Sequence, residues 1–474
     1  MLQNLGRIVL RAIIRFRCAM IVCCCAVAFA EPLTVGVAEI DITPPVGNRM
    51  SGYFHERLST AVHDPLHARA IAFQQGEERG AIVVCELVGV PVDATQPARR
   101  RAADQTGIPV ENILVSATHT HTGADYFGAR FAYCKELAIA EHGTDPHEEV
   151  PYIDTLTDAI VAAIEQAESA RVPVAIRAGV ATQEGLAFNR RFHMKEGPVR
   201  FNPGKQNPDI VRPAGPTDPA VPMIVFESLD QERPDALLTA FALHLDTVGG
   251  TEYAADYPYY MASVIREEHA DLIPIFAIGT AGDINHIDVS TKTPQKGHEE
   301  AKRIGDALGA TMAEALDELP SVKEPSFAAQ TESVALPLQQ YSEEEVAYAL
   351  ANRAKIVDDS VPFLERVRLY KIIDSEMRGE DAIAVDVQAF RLGPDVAIVG
   401  LPGEIFVDLG LAIKEASPFQ TTLIITLAND YCGYVPTRKA FEEGSYETVN
   451  SRVQPGGGEK LVEAAVRMLI RLAE

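Results

Sequence analysis

Short apolar runs alternate along this chain with segments that carry the spacing of amphipathic helices, and that alternation limits the fold more than any other feature. The runs are AIVVCELVGV (81–90), NILVSA (112–117), LLTAFALHL (237–245), IPIFAIG (273–279), DVAIVGL (395–401) and TLIITLA (422–428). Between and after them lie ATQPARRRAADQTG, YIDTLTDAIVAAIEQAESA, YPYYMASVIREEHA, HEEAKRIGDALGATMAEALDEL and EKLVEAAVRMLIRLAE. Continuous apolar strands are buried on both faces, so the pattern predicts an α/β fold, a central mixed sheet flanked by helices. No internal repeat or low-complexity tract divides the chain, and one large domain over 31–474 is the economical reading. The Pro- and Gly-rich stretch 196–222 is too long for an ordinary connection and reads as a lid or substrate loop. The charged region 343–381 reads as helices on an exterior face.

The first thirty residues belong to a different class. Arg7, Arg11, Arg15 and Arg17 precede a thirteen-residue apolar run, CAMIVCCCAVAFA, that ends in Ala28-Phe29-Ala30. A basic start, a short apolar stretch and an A-x-A end match a secretory signal peptide. The run is short of the roughly 20 residues a membrane span needs. Residues 1–30 are therefore expected to be cleaved, leaving a secreted or periplasmic protein with no stable membrane span. Four of the seven cysteines fall in this leader, and Cys85, Cys134 and Cys432 remain, enough for at most one bridge and no C-x-x-C metal knuckle. Losing the four leader arginines takes the formal net charge from −25 to −29. Such a chain repels nucleic acid and anionic lipid head groups, and a neutral, zwitterionic or cationic small molecule suits it better. Nothing in the sequence fixes the oligomeric state.

In α/β sheets ligands gather beyond the carboxyl ends of strands. Thr118-His119-Thr120-His121-Thr122-Gly123 follows NILVSA, His244-Leu245-Asp246-Thr247 follows LLTAFAL, and Gly282-Asp283-Ile284-Asn285-His286 follows IPIFAIG. Pro402-Gly403-Glu404 follows AIVGL, and Asn429-Asp430-Tyr431-Cys432-Gly433-Tyr434 follows TLIITLA. If the strand continues through H-T-H, His119 and His121 share a face, because side chains two apart point the same way. With His244 and Glu404 they make a two-histidine, one-carboxylate zinc set conceivable. Each histidine alone reads more readily as a hydrogen-bonded core residue than as a ligand. Glu86, Asp246 and Asp283 are candidates for orienting the histidine rings.

The combination of ATHTHTG, Pro402-Gly403-Glu404 and Asn429-Asp430-Tyr-x-x-Tyr434, in this order and after the opening VGVAEIDITPPVGNRMSGY, resembles the catalytic domain of the neutral/alkaline (non-lysosomal) ceramidase family. The likeness spans roughly residues 33–450. It implies a zinc-dependent amidase that cleaves the N-acyl bond of a lipid, with one zinc per chain held by His119, His244, Glu404 and Tyr434. It implies that His121 moves the proton and that Arg190 and Tyr446 steady the oxyanion.

The departures bear on substrate. The family's G-D-x-S-P-N reads Gly282-Asp283-Ile284-Asn285-His286-Ile287, with Asn285 in place of the serine tied to substrate recognition. The H-G-T after the strand reads His244-Leu245-Asp246-Thr247. The chain ends at residue 474, where full-length ceramidases continue into an immunoglobulin-like domain. The metal set is intact and the substrate-reading surroundings are not. Three readings follow: an amidase acting on ceramide or another N-acylated lipid, a zinc esterase or deacylase acting on a soluble substrate, and a non-catalytic binding protein that kept the fold.

Overall fold

The computed structural model describes residues 31–229 and 235–474; the signal-peptide expectation for 1–30 lies outside the described residues. Twelve strands make two sheets. The larger contains β1 (Thr34–Asp41), β2 (His67–Gln75), β3 (Glu78–Cys85), β4 (Ile113–Ala117), β5 (Val172–Thr182), β6 (Ala220–Ser228), β7 (Asp235–Phe241) and β8 (Leu272–Ile278), ordered β8-β7-β6-β5-β1-β2-β3-β4. It is mixed, as expected: β3·β4 and β7·β8 are parallel and the other pairs antiparallel. The smaller sheet, β9 (Phe327–Pro337), β10 (Ala382–Leu392), β11 (Val396–Gly400) and β12 (Thr421–Ile425), is also mixed.

The two sheets lie face to face, and the period-2 alternation of their strands shows how. In β2, Ile71 and Phe73 join Phe390, Ile398 and Leu423 of the smaller sheet in one buried cluster. The intervening Ala68, Ala70 and Ala72 face a second cluster. That cluster includes residues of helices α1 (Val92–Thr106), α2 (Tyr152–Ser169), α3 (Tyr257–Glu268) and α4 (His298–Leu316). On the far side of the smaller sheet, Val385, Val387 and Val399 pack against α5 (Val407–Ala416) and α6 (Gly457–Ala473). The layers are helices, sheet, sheet, helices. Phe73, Phe226, Phe327 and Phe390 link the sheets with ring centroids 5.2–6.1 Å apart, each pair adding about 0.5–1.5 kcal/mol beyond area burial.

One connection decides where the site forms. Strands β4 and β8 are opposite edges of the larger sheet, yet the segment after β12 joins them. The Thr426 N–H donates to the Ile278 carbonyl at 2.9 Å and the Asn429 N–H to the Val115 carbonyl at 2.7 Å. The loops leaving β4 and β7 are also tied, His121 N–H to Leu245 C=O at 3.0 Å. The sheet therefore curls until its two edges present their loops to one point.

The stretch 196–222 is more ordered than its composition suggests. Arg200–Phe201 and Ile210–Pro213 flank Arg191–Met194 in a three-stranded antiparallel sheet. Cys85, Cys134 and Cys432 are free and buried, so no bridge forms among the described residues.

Candidate metal centre

Strand β4 ends at Ala117, and the chain then turns away from strand geometry. His119 has φ +76°, a left-handed conformation costing a non-glycine residue about 1–3 kcal/mol. The expectation that His119 and His121 share a strand face is thereby corrected, because both lie in a loop beyond the strand. The loop is fixed instead by hydrogen bonds: His119 N–H to Leu87 C=O at 2.8 Å, and the Thr120 and Thr122 hydroxyls to Ala254 C=O at 2.7 and 2.9 Å. The turn still brings the imidazoles together, with ring centroids 5.0 Å apart.

His119 Nδ1 donates to the Val88 carbonyl at 2.6 Å and His244 Nδ1 to the Ala281 carbonyl at 3.1 Å. A carbonyl oxygen only accepts, so each ring carries its proton on Nδ1 and presents a bare lone pair at Nε2. These two Nε2 atoms lie 2.9 Å apart, and Glu404 Oε2 lies 3.2 and 3.5 Å from them. His121 Nε2 is 3.4 Å from His119 Nε2. The three histidine nitrogens all fall within 4.8 Å of one another. Glu404 Oε2 is buried and has no hydrogen-bond partner among the described residues. Lone pairs crowded together without a proton repel one another unless a cation sits among them. Ligands about 2.0–2.2 Å from a tetrahedral zinc lie roughly 3.3–3.5 Å apart, so this donor set fits that ion.

The protonation states suit a cation as well. Burial pushes His121 down to about 3, with His119 adding to the effect, and burial and then Arg190 hold His244 well below the ordinary imidazole range. Burial alone would raise the Glu404 carboxyl. Positive charge and a hydrogen bond at His119, then positive charge at His244 and Arg190, bring it well below the usual carboxylate range, and with the imidazoles neutral a bound cation would take over their part. Neutral imidazoles and an ionised carboxylate are the forms that ligate metals.

Glu404 and Tyr434 sit side by side because Glu404–Ile405 and Tyr434–Val435 pair as a short parallel ladder in which the two residues are in register. Gly282 lets the β8 loop press against this ladder, since a Cβ there would lie 2.5 Å from the Glu404 carbonyl oxygen. The Tyr434 hydroxyl accepts from Arg190 Nη2 at 3.0 Å. Arg190 is buried, with Nε on Glu447 Oε1 at 2.9 Å and Nη2 also on Gly282 C=O at 2.7 Å. The guanidinium therefore fixes Tyr434 instead of standing free. Tyr446 lies 5.4 Å from Tyr434 between ring centroids, its hydroxyl accepts from Asn450 Nδ2 at 3.2 Å, and burial raises it to about 12. Phe201, from the 196–222 stretch, covers Tyr446 at 4.8 Å and Arg190 at 5.1 Å. His119, His121, Glu404, Tyr434 and Tyr446 line one open cleft of about 100 Å³.

The three carboxylates considered as ring-orienting groups have other partners. Glu86 binds Arg69 at 2.5 Å and the His67 N–H at 2.7 Å. Asp283 accepts from Val407 N–H and the Asn189 amide. Asp246 faces His286 at 3.2 Å. Backbone carbonyls orient the rings because the short loops hold peptide groups within reach. Asn285 is buried and internally satisfied by Asn202 Oδ1 and the Ile287 N–H. Sequence reasoning missed Tyr431, whose hydroxyl donates to Glu404 Oε1 at 2.9 Å, and Glu447. Tyr431 stands three residues before Tyr434 in the same motif, which was the available signal; Glu447 had none.

No family model matches this chain. A neutral ceramidase of Mycobacterium tuberculosis is 25% identical over 277 residues, covering 51% of this chain and 40% of that protein. The neutral ceramidase structure from Pseudomonas aeruginosa superposes with a TM-score of 0.70, at 18% identity over 94% of this chain and 75% of that one. The chain is similar to neutral ceramidases. A ceramidase structure complexed with C2 gives a TM-score of 0.68, also at 18% identity, over 93% of this chain and 75% of the other. At those identities the structures establish the ceramidase-like fold. The chain spans 40% of the length of the curated relative it matches.

Proposed function

We propose that this ceramidase-like chain is an exported zinc-dependent hydrolase in which residues 31–474 form one catalytic domain that cleaves an N-acyl (amide) bond. The observation that carries this reading is the convergence of two bare Nε2 lone pairs and an unpartnered carboxylate oxygen at the wall of a cleft. His119, His244 and Glu404 would hold the ion, with Tyr434 as a fourth ligand. Zinc supplies such a site with a Lewis acid and with water made acidic near neutral pH.

The chain's own residues supply the rest. His121 Nε2 faces the same point, and its Nδ1 has no hydrogen-bond partner among the described residues. Burial keeps the imidazole neutral, the form that can accept a proton at Nε2 and pass it on to a departing amine. The Tyr446 hydroxyl, held neutral by burial, is placed to donate to a developing oxyanion. Arg190 acts through Tyr434, which it anchors.

The substrate is an N-acyl compound, ceramide or another N-acylated lipid by likeness to the relatives. The chain is strongly acidic and has no tryptophan to seat in a lipid interface, which favours, as a second reading, a soluble amide or ester. Among the described residues no helix is long and apolar enough to cross a membrane. The test is hydrolysis of lipid and soluble N-acyl amines and an aryl ester by zinc-reconstituted protein. Turnover of at least one supports the hydrolase. Protein that holds zinc yet cleaves none of them is the non-catalytic binding protein.

A further inference from the structure

The cleft that reaches the metal centre is walled by two pairs of aromatic rings, each backed by its own apolar cluster. Phe54 and Tyr370 line it and meet edge to face, with centroids 5.5 Å apart and planes at 86°. They rest on a small cluster of Ala129, Ile356, Leu369, Ile372 and Ile373. Phe127 and Tyr431 also line it, meet at 5.3 Å and 72°, and rest on the cluster shared by the larger sheet and helices α1 to α4. Phe54 and Phe127 are half-buried, so each ring is held from behind and leaves part of its surface to the cleft. Phe363, 42% exposed at the start of the helix Phe363–Arg378, continues the first wall from Phe54 to Tyr446 with centroid distances of 5.6 and 5.2 Å.

We propose that Phe54 and Phe127 are specificity-determining residues that select N-acyl substrates carrying an uncharged aromatic ring within a few bonds of the scissile amide. This rests on the hydrolase reading above. An alkyl group placed between such walls gains burial only. An aryl group gains burial and also the edge-to-face contact that the wall rings already make with their own partners. Because Phe54 and Phe127 are packed from behind, little side-chain freedom is lost when a ligand ring enters.

The charges around the cleft argue against a cationic group in the same place. Arg57 lies over the Tyr53 ring at 4.3 Å, and Arg190 over Tyr434 at 5.4 Å and Tyr446 at 5.9 Å. Those ring faces already hold a cation, and the guanidinium groups repel a second one. Asp125 and Arg130, which also line the cleft, pair with each other at 2.6 Å and leave no net charge between them. What remains for a substrate side group to meet is the aromatic surface of Phe54 and Phe127.

The experiment uses the zinc-reconstituted full chain and compares phenyl with cyclohexyl at matched positions. The butylamides of phenylacetate and cyclohexylacetate carry the ring on the acyl side. The N-acetyl derivatives of benzylamine and cyclohexylmethylamine carry it on the amine side. Cyclohexyl is the larger and more apolar group, so burial alone favours it and only ring–ring contact reverses the order. On at least one side kcat/KM is expected to favour phenyl about tenfold, a difference of about 1.4 kcal/mol. Calorimetry of the free acids and amines, which cannot be cleaved, is expected to show the same preference. In Phe54→Leu and in Phe127→Leu the preference falls to about threefold, and in the double variant to about one, with zinc content unchanged. The two single variants lie on different clusters, so misfolding of one leaves the other to be read. A wild-type preference of one or less on both sides, or a tenfold preference kept in both variants, would overturn the proposal. Hydrolysis without ring preference removes the role of Phe54 and Phe127 and leaves the hydrolase. A ring preference in binding with no amide cleaved does the reverse, and neither binding nor cleavage sinks both.

Discussion

Replacing Glu447 by glutamine tests how Arg190 is held. Glu447 is fully buried, and its Oε1 is the carboxylate partner of Arg190 Nε at 2.9 Å; its second oxygen lies 3.9 Å from Arg191 Nε. The remaining polar partners of Arg190 are the Gly282 carbonyl and the Tyr434 hydroxyl, both uncharged. Glu447→Gln therefore leaves a buried guanidinium without its anion, which costs about 3–5 kcal/mol. An unfolding entropy of about 2.1 cal/mol/K per residue over about 440 residues converts this to a Tm lower by roughly 3–5 °C. Scanning calorimetry on zinc-loaded protein reads the shift. Arg190→Met/Glu447→Gln should lose less than the sum of the single variants, with a coupling of at least about 1 kcal/mol. Activity should fall in all three, because Tyr434 loses its anchor. A Glu447→Gln protein within 0.5 °C of the wild type, or strictly additive losses, would refute the argument that this pair holds the site.

Other expectations follow from the same geometry. His119→Ala should lose zinc and activity together, whereas His121→Ala should keep zinc and lose about 10²-fold or more in rate; zinc loss in the second variant would move His121 into the ligand set. Gly282→Ala puts a methyl against the Glu404 backbone at 2.5 Å and should weaken zinc affinity at least tenfold in competition with a chromophoric chelator, while an unchanged affinity would show that the ladder is free to shift. Asp283 is raised to about 6 by burial, with the Asp408 and Glu447 charges adding to it. The native protein therefore takes up a proton near pH 6 that the unfolded chain does not take until about pH 4, so stability from this group rises as the pH falls. Between pH 7.5 and 5.5 the wild type should gain about 1 kcal/mol over Asp283→Asn in urea melts, and a constant gap would refute the assignment.

The six apolar runs named from the sequence all overlap strands of the structure, because fully buried strands leave an uninterrupted apolar signature. The strands overlooked, such as β5 and β9, have partly exposed residues along most of their length, and their alternation is diluted by alanine and polar residues. The second sheet was illegible for a related reason: a strand between two layers reads the same whether helices or another sheet cover it. The chemistry-bearing residues were legible as strand-end motifs, and the structure brings His119, His121, Glu404, Tyr434 and Tyr446 to one cleft, with His244 behind it against His119 and Arg190 against Tyr434. Their arrangement was not legible. The left-handed turn at His119, the carbonyls that set both imidazole tautomers and the pairing of Asp246 with His286 depend on tertiary contacts that no local spacing encodes.

The central claim is that His119, His244 and Glu404 hold a zinc ion. The most direct measurement is the zinc content of purified protein after exhaustive dialysis, wild type beside His119→Ala. The account predicts about one zinc per chain in the wild type and essentially none in the variant. A wild-type protein that retains no zinc even after zinc is added back would contradict it.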